Sequence, residues 1–406
     1  MKSTYLFVPY LISGFVAFFG NSYASSNDQI EGKEFQNKNG IVFQCNSDAI
    51  KNIEIDIHSY LREVGIAGNM YATTQDEAAG TLSLILKDVT GSTNTINMID
   101  RDIFDIKEEF VLLPGKTKNG RKVLTVSKKE ILLAMLQKGR VTQFSGPECN
   151  LTALRDQVGI RQNTVAWSEN IEWSWPEGKA ARWNSKYWNH GDLRPGRSLQ
   201  EALFDVFVHQ RKYAIGCYTA TKLVIVHGIL DYYSRIKKDA KTTALIESRL
   251  MSNGDPLTNI EPGAMWFFEA DSSPADLVRP GKLVRLDHKV APDNFIPGDW
   301  SYFLNTDAET YKKTGYEGSN AIYLGRGKFD DYYNDHNHSY TYKEKLLEVY
   351  QWRHHVFSRA RDFSKINPLT AREISALTKA PEKGGIELDY RAVPYNFAFE
   401  TLPLLK

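Results

Sequence analysis

The residues best placed to do nucleophilic chemistry gather around one of three cysteines, Cys217. Lys212-Tyr-Ala-Ile-Gly216 breaks a helical pattern just before it. After it runs Tyr-Thr-Ala-Thr-Lys-Leu-Val-Ile-Val-His-Gly-Ile-Leu-Asp-Tyr-Tyr, apolar on nearly every face. That pattern predicts a buried central helix that opens at the cysteine. A thiol there meets unsatisfied N–H groups and the positive end of the helix dipole, which favour the thiolate. The same N–H groups can hold the oxyanion of an acyl intermediate. Gly216 leaves room for a substrate to approach the backbone. An inert, packed cysteine would leave the same trace, because free cysteines are commonly buried.

Other groups could act on a thiol or on its substrate. Asp299 follows the Pro297-Gly298 turn, where an aspartate usually stabilises the turn itself. His336 and His338 could supply an imidazole or form a metal pair, but no third ligand with motif spacing accompanies them. His227 lies within the apolar helix and reads as a core histidine; His354 and His355 read as surface or packing residues. There is no phosphate-binding loop, dinucleotide fingerprint, serine elbow or calcium loop, so no cofactor and no metal is expected.

These side chains need a frame. The 406 residues are 42% hydrophobic and 24% charged, as in an ordinary globular protein. The formal charge of +1 supplies no field to recruit nucleic acid. Lys2 and the apolar run Tyr5 to Phe19, ending at Ser22-Tyr23-Ala24, read as a signal peptide over residues 1–24, with a mature chain that is periplasmic or secreted and does not span a membrane. Cys45 and Cys149 sit in polar contexts and could pair as a disulfide, leaving Cys217 apart.

Residues 25–160 read as a mixed α/β module, with a strand at Gly80–Val89 and an amphipathic helix over Lys128–Lys138. Residues 161–406 read as the catalytic domain. Trp167, Trp173, Trp175, Trp183 and Trp188 crowd its start. They either wall a groove for an extended peptide, with Trp183 and Trp188 beside Gly216, or pack the core. Ser198-Leu-Gln-Glu201 and Thr341-Tyr-Lys-Glu344 read as capping boxes that open helices. Strands are expected at Pro262–Phe268, Pro297–Phe303 and Ala321–Phe329, and an irregular tail from 365 onward.

The segment Tyr213-Ala-Ile-Gly-Cys217-Tyr-Thr-Ala-Thr-Lys-Leu-Val-Ile-Val-His-Gly-Ile-Leu-Asp231 resembles the nucleophile segment of the spore-coat protein-glutamine gamma-glutamyltransferases (transglutaminases). Pro176-Glu-Gly178, Arg194-Pro-Gly-Arg-Ser-Leu-Gln-Glu-Ala202, Gly298-Asp-Trp-Ser-Tyr-Phe-Leu-Asn305 and Gly318-Ser-Asn-Ala-Ile-Tyr-Leu-Gly325 resemble that family in order and spacing. The resemblance spans roughly residues 165 to 360. It implies an α+β fold with an NlpC/P60 (papain-like) core: a helix carrying the cysteine, packed on an antiparallel sheet. It implies a cysteine thioester enzyme that joins glutamine and lysine side chains of proteins, or deamidates glutamine, without calcium.

Two departures stand out. The slot for the family's glutamate falls on Ser319, a poor base, and strand periodicity places Glu317 on the same face as Ser319. Gly216 stands where the family has a glutamate before the nucleophile. The expected site is therefore Cys217 with Glu317, Ser319 or His338 moving protons. A peptidoglycan-peptide hydrolase of the NlpC/P60 type and an inactive envelope-binding domain are the other readings.

Overall fold

A computed structural model of the chain describes residues 40–87, 99–115, 120–138, 141–176, 179–252, 284–288, 295–305, 307–334, 339–359, 370–377 and 388–394. The expected signal peptide, the strand at 262–268, His336 and His338 lie outside the described residues.

The first layer is a four-stranded sheet of β1 (Gly40–Gln44), β2 (Tyr71–Asp76), β3 (Thr81–Leu86) and β6 (Val141–Ser145) in the order β2-β3-β1-β6. β1 pairs with β6 in parallel and with β3 antiparallel. Alternation in β3 buries Leu82, Leu84 and Leu86, as its period of two requires. Helices α1 (Ser47–Glu63) and α2 (Lys128–Leu136) pack on β3, and α2 also on β1. The expectation that α2 is amphipathic is corrected. Ile131 to Leu136 are all buried, because the helix is packed both on this sheet and on the next helix, α3 (Leu151–Ser168). A small hairpin, β4 (Glu109–Leu113) and β5 (Arg121–Thr125), also rests on α3.

α3 crosses residue 160, where a domain boundary was expected. Its side chains Leu154, Val158, Ile160 and Val165 belong to one hydrophobic cluster that runs from Ile41 to Tyr333. All described residues fall in one compact unit, Asn39–Lys406. The disulfide Cys45–Cys149 joins the end of β1 to the turn preceding α3, with Cα atoms 5.7 Å apart.

Beyond α3 come a two-residue ladder, β7 (Trp188–Asn189) with β8 (Asp192–Leu193), then α4 (Leu199–Val208), α5 (Cys217–Asp231) and α6 (Ala240–Ser252). Ser198 caps α4, its Oγ accepting from Glu201 N at 3.3 Å. α5 lies against α3 at very close range. A Cβ on Gly228 would sit 2.3 Å from Thr164 Oγ1, so only glycine lets the two helices meet there. Asn163 Nδ2 donates to Gly228 O at 2.8 Å, and Trp167 Nε1 donates to Asp231 Oδ2 at 2.7 Å. These bonds clamp the C-terminal half of α5 and fix the direction in which its first turn points.

The second sheet has six strands in the order β13-β12-β11-β10-β14-β9, all antiparallel. They are β9 (Val284–His288), β10 (Trp300–Leu304), β11 (Gly318–Gly325), β12 (Lys328–Asp330), β13 (Ser339–Thr341) and β14 (Leu388–Pro394). β14 corrects the expectation of an irregular tail: it pairs with both β10 and β9, inside the sheet. One face of β11 packs on α5 and α3. The other carries Ala321 and Tyr323 into a smaller cluster with Phe303, Phe329 and α7 (Tyr342–Arg353), which is opened by a Thr341–Glu344 capping box. A short helix, α8 (Ala371–Leu377), follows.

Candidate active site

The first turn of α5 opens into a cleft of about 480 Å³, walled by Trp175, Lys179, Gly216, Cys217, Tyr302, Glu317 and Asn320 among others. Cys217 is the one free cysteine and is partly exposed. Gly216 is the N-cap and supplies no side chain to the first-turn N–H groups. Those donors are left to the cleft, which makes it a site suited to negative charge. A Cβ on Gly216 would meet no atom within 4 Å. The glycine is not demanded by packing, and its absent side chain keeps the approach to the sulfur open.

Across the cleft stands β11. Asn320 donates to Cys217 Sγ from its backbone N at 3.5 Å and from Nδ2 at 3.6 Å, within reach of a large sulfur acceptor. The carbamoyl oxygen, Asn320 Oδ1, accepts from Trp300 Nε1 at 2.9 Å. Below the thiol, Thr221 Oγ1 donates to Cys217 O at 2.8 Å and meets Tyr332 Oη at 2.8 Å. Burial, with Asp330 nearby, pushes the Tyr332 hydroxyl far up, so it stays protonated.

The expected partners are distributed differently. Ser319 pairs in register with Phe303 and therefore shares its face, away from the thiol. The residue that β11 turns towards the sulfur is Asn320, one position on. This corrects the placing of Ser319 in the site. Glu317 precedes the strand, is exposed, and accepts from Gly315 N at 2.9 Å while lining the cleft.

Trp183 and Trp188 are corrected as groove residues. Trp188 is fully buried, and Trp183 packs on it and on Tyr213 with ring centroids 5.5 and 6.0 Å away. The tryptophan in the cleft wall is Trp175. It is carried there because its neighbour Trp173 bridges to Tyr333, while Ser174 bridges to Ala214, just before the cysteine.

Two buried ion pairs frame the site. Asp299 pairs with Arg161 Nη1 at 2.8 Å, and Arg161 also donates to Pro297 O at 3.0 Å. This is the turn-holding role, executed by a helix across the core. Arg359 donates to Asp331 Oδ1 at 3.0 Å, with its guanidinium 4.6 Å over Trp175 and 4.3 Å over Tyr333. Burial alone would pull Arg359 down, but Asp331, with Tyr333, Glu348 and Cys217, holds it protonated. Sequence reasoning did not single out Asn320, Trp300 or Arg359. The alternation along β11 was the one signal that could have separated Asn320 from Ser319.

A family model described as TGL: Protein-glutamine gamma-glutamyltransferase matches residues 112–361, more than half of the chain. No curated protein matches. Among solved structures, a transglutaminase from Geobacillus stearothermophilus (without C-terminal extension) is similar at 18% identity, with 63% of this chain and 100% of that chain covered and a TM-score of 0.37.

Proposed function

The chain belongs to the protein-glutamine gamma-glutamyltransferase family and is an acyltransferase; from that premise we propose that Cys217 is the nucleophile that carries the acyl group. The observation that supports this most is the partly exposed thiol at the uncapped first turn of α5, open to the cleft. The thiolate attacks the side-chain carboxamide carbon of a protein glutamine. The oxyanion that forms draws on the first-turn N–H groups. The C–N bond breaks, the nitrogen takes a proton and leaves as ammonia, and a thioester remains. A lysine ε-amine then attacks the thioester carbon, loses a proton and expels the thiolate, leaving an isopeptide bond. Water in place of the amine gives a deamidated glutamine.

Protons must reach the departing ammonia and leave the incoming ammonium. Glu317, in the cleft wall, takes this shuttle role, with His338 as the other candidate. Trp175 lines the same cleft as Cys217, and a wall that excludes water favours amine over water as acceptor. The thiol at a helix N-terminus facing antiparallel strands agrees with an NlpC/P60-like arrangement of the core. The disulfide Cys45–Cys149 agrees with export after removal of residues 1–24, since such bonds persist in oxidising compartments. No helix among the described residues is long and apolar enough to cross a membrane.

The test is incorporation of a fluorescent primary amine into casein, run beside a Cys217→Ala variant. Incorporation that vanishes in the variant is the expected result. Incorporation that survives in it removes Cys217 from the mechanism. No incorporation by the wild type, with Cys217 still quickly alkylated, redirects the reading to hydrolysis of peptidoglycan peptides.

A further inference from the structure

The strand that faces the thiol places an amide where a proton acceptor would be expected. The backbone of β11 explains how. On the β10 side, Glu317 O accepts from Asn305 N and Tyr323 N donates to Asp299 O, each at 2.9 Å. The odd-numbered positions thus direct their backbone groups towards β10, and the even-numbered ones direct theirs to the opposite edge. That edge is covered by β12 only opposite Tyr323 and Gly325. Among the described residues no strand pairs with this edge at Asn320, and a backbone N–H directed there takes an acceptor from elsewhere. The acceptor it meets is Cys217 Sγ.

The side chain adds a second donor. An asparagine amide can in principle present either its oxygen or its NH₂ group. An indole N–H only donates, so Trp300 Nε1 can bind the oxygen alone, which turns the NH₂ group towards the sulfur. Trp300 is itself held, fully buried, with Tyr218 packed edge-on at 5.7 Å. Neither Asn320 donor can take a proton from the thiol. Both stabilise its anion.

We propose that Asn320 is a catalytic residue that holds the Cys217 thiolate with its two N–H donors, and that Trp300 is a positioning residue that locks the amide in the donating orientation. The proposal rests on Cys217 being the nucleophile. It assigns activation of the thiol to hydrogen-bond donors, and leaves Glu317 or His338 to serve only the amine and ammonia. Regeneration of the thiolate on thioester cleavage is then favoured as well, because the same two donors receive the leaving sulfur.

The experiment is the pH dependence of Cys217 alkylation by iodoacetamide, measured on the full chain, with melting temperature recorded alongside. Asn320→Ala should lower the rate at pH 6 by about tenfold, as expected for a lost hydrogen bond to a charged group, with the rate at pH 10 within about twofold of wild type. Asn320→Asp, nearly the same shape, should lower it further, since a carboxylate beside the sulfur opposes the anion. Trp300→Phe should fall between wild type and Asn320→Ala. Profiles of Asn320→Ala and Asn320→Asp that superimpose on the wild type would overturn the proposal, as would faster alkylation of Asn320→Asp at pH 6. Survival of amine incorporation in Cys217→Ala, by contrast, would remove the nucleophile and not the amide alone.

Discussion

Arg161 and Asp299 form an ion pair at 2.8 Å with both side chains almost wholly shielded from solvent. It links the middle of α3 to the turn that launches β10, and β10 carries Trp300 beneath the site. Removing one partner leaves a buried charge uncompensated, which costs about 3–5 kcal/mol. Arg161→Met and Asp299→Leu should each destabilise by that order in urea unfolding. The double variant should recover a large part of the loss. An Asp299→Leu variant of undiminished stability but abolished activity would instead make Asp299 a reactive group.

The disulfide Cys45–Cys149 closes a separation of 104 residues. In the chain-entropy account a loop of that size stabilises by about 4.7 kcal/mol. Replacing both cysteines by serine should lower the melting temperature, while alkylation of Cys217 continues at the wild-type rate. A calorimetric scan and a thiol-labelling assay on the same preparation read both.

His227 sits in α5 between the rings of Trp167 and Phe207, each with centroids 4.4 Å away. Burial pulls it down to about 4, assisted by Arg235 and opposed by Asp231. In the unfolded chain it takes its proton near pH 6.5. Its folded pKa is thus below the unfolded one, so its contribution is intact above about pH 6.5. It is lost as pH falls towards 4, by about 1.4 kcal/mol per pH unit. His227 Nε2 has no hydrogen-bond partner among the described residues, so His227→Phe should cost little at pH 7 and flatten the stability profile between pH 6.5 and 4. Equal slopes in the two proteins, measured by urea unfolding at pH 7 and pH 5, would refute this.

Trp175 forms part of the cleft wall and lies under Arg359. Trp175→Ala should raise KM for a protein glutamine donor by about tenfold, the scale of one large lost aromatic contact. It should also raise the share of deamidation over amine incorporation, since water gains access. Product ratios by mass spectrometry check the second effect.

Much of the site was legible along the chain. Gly216 and Cys217 stand at a break between two helical patterns, and helix entry at a glycine follows from local backbone rules. The side-chain cap at Ser198, the capping box at Thr341 and the alternation of β3 are equally local, set by residues within one or two turns. The pairing of Cys45 with Cys149 was suggested by context and is decided by a parallel ladder, β1 with β6, between strands about 100 residues apart. Ser319 was named in place of its neighbour because a one-residue change of register exchanges the two faces of a strand. Only pairing with β10 settles which face meets α5. Trp175 reaches the cleft, and Trp183 and Trp188 the core, through bridges to Tyr333 and Ala214 that no spacing encodes. What the sequence alone determined is where a cysteine opens a buried helix. Which groups surround that thiol was decided by tertiary structure, because strand order, register and helix contact join residues about 100 positions apart through packing that local periodicity does not record.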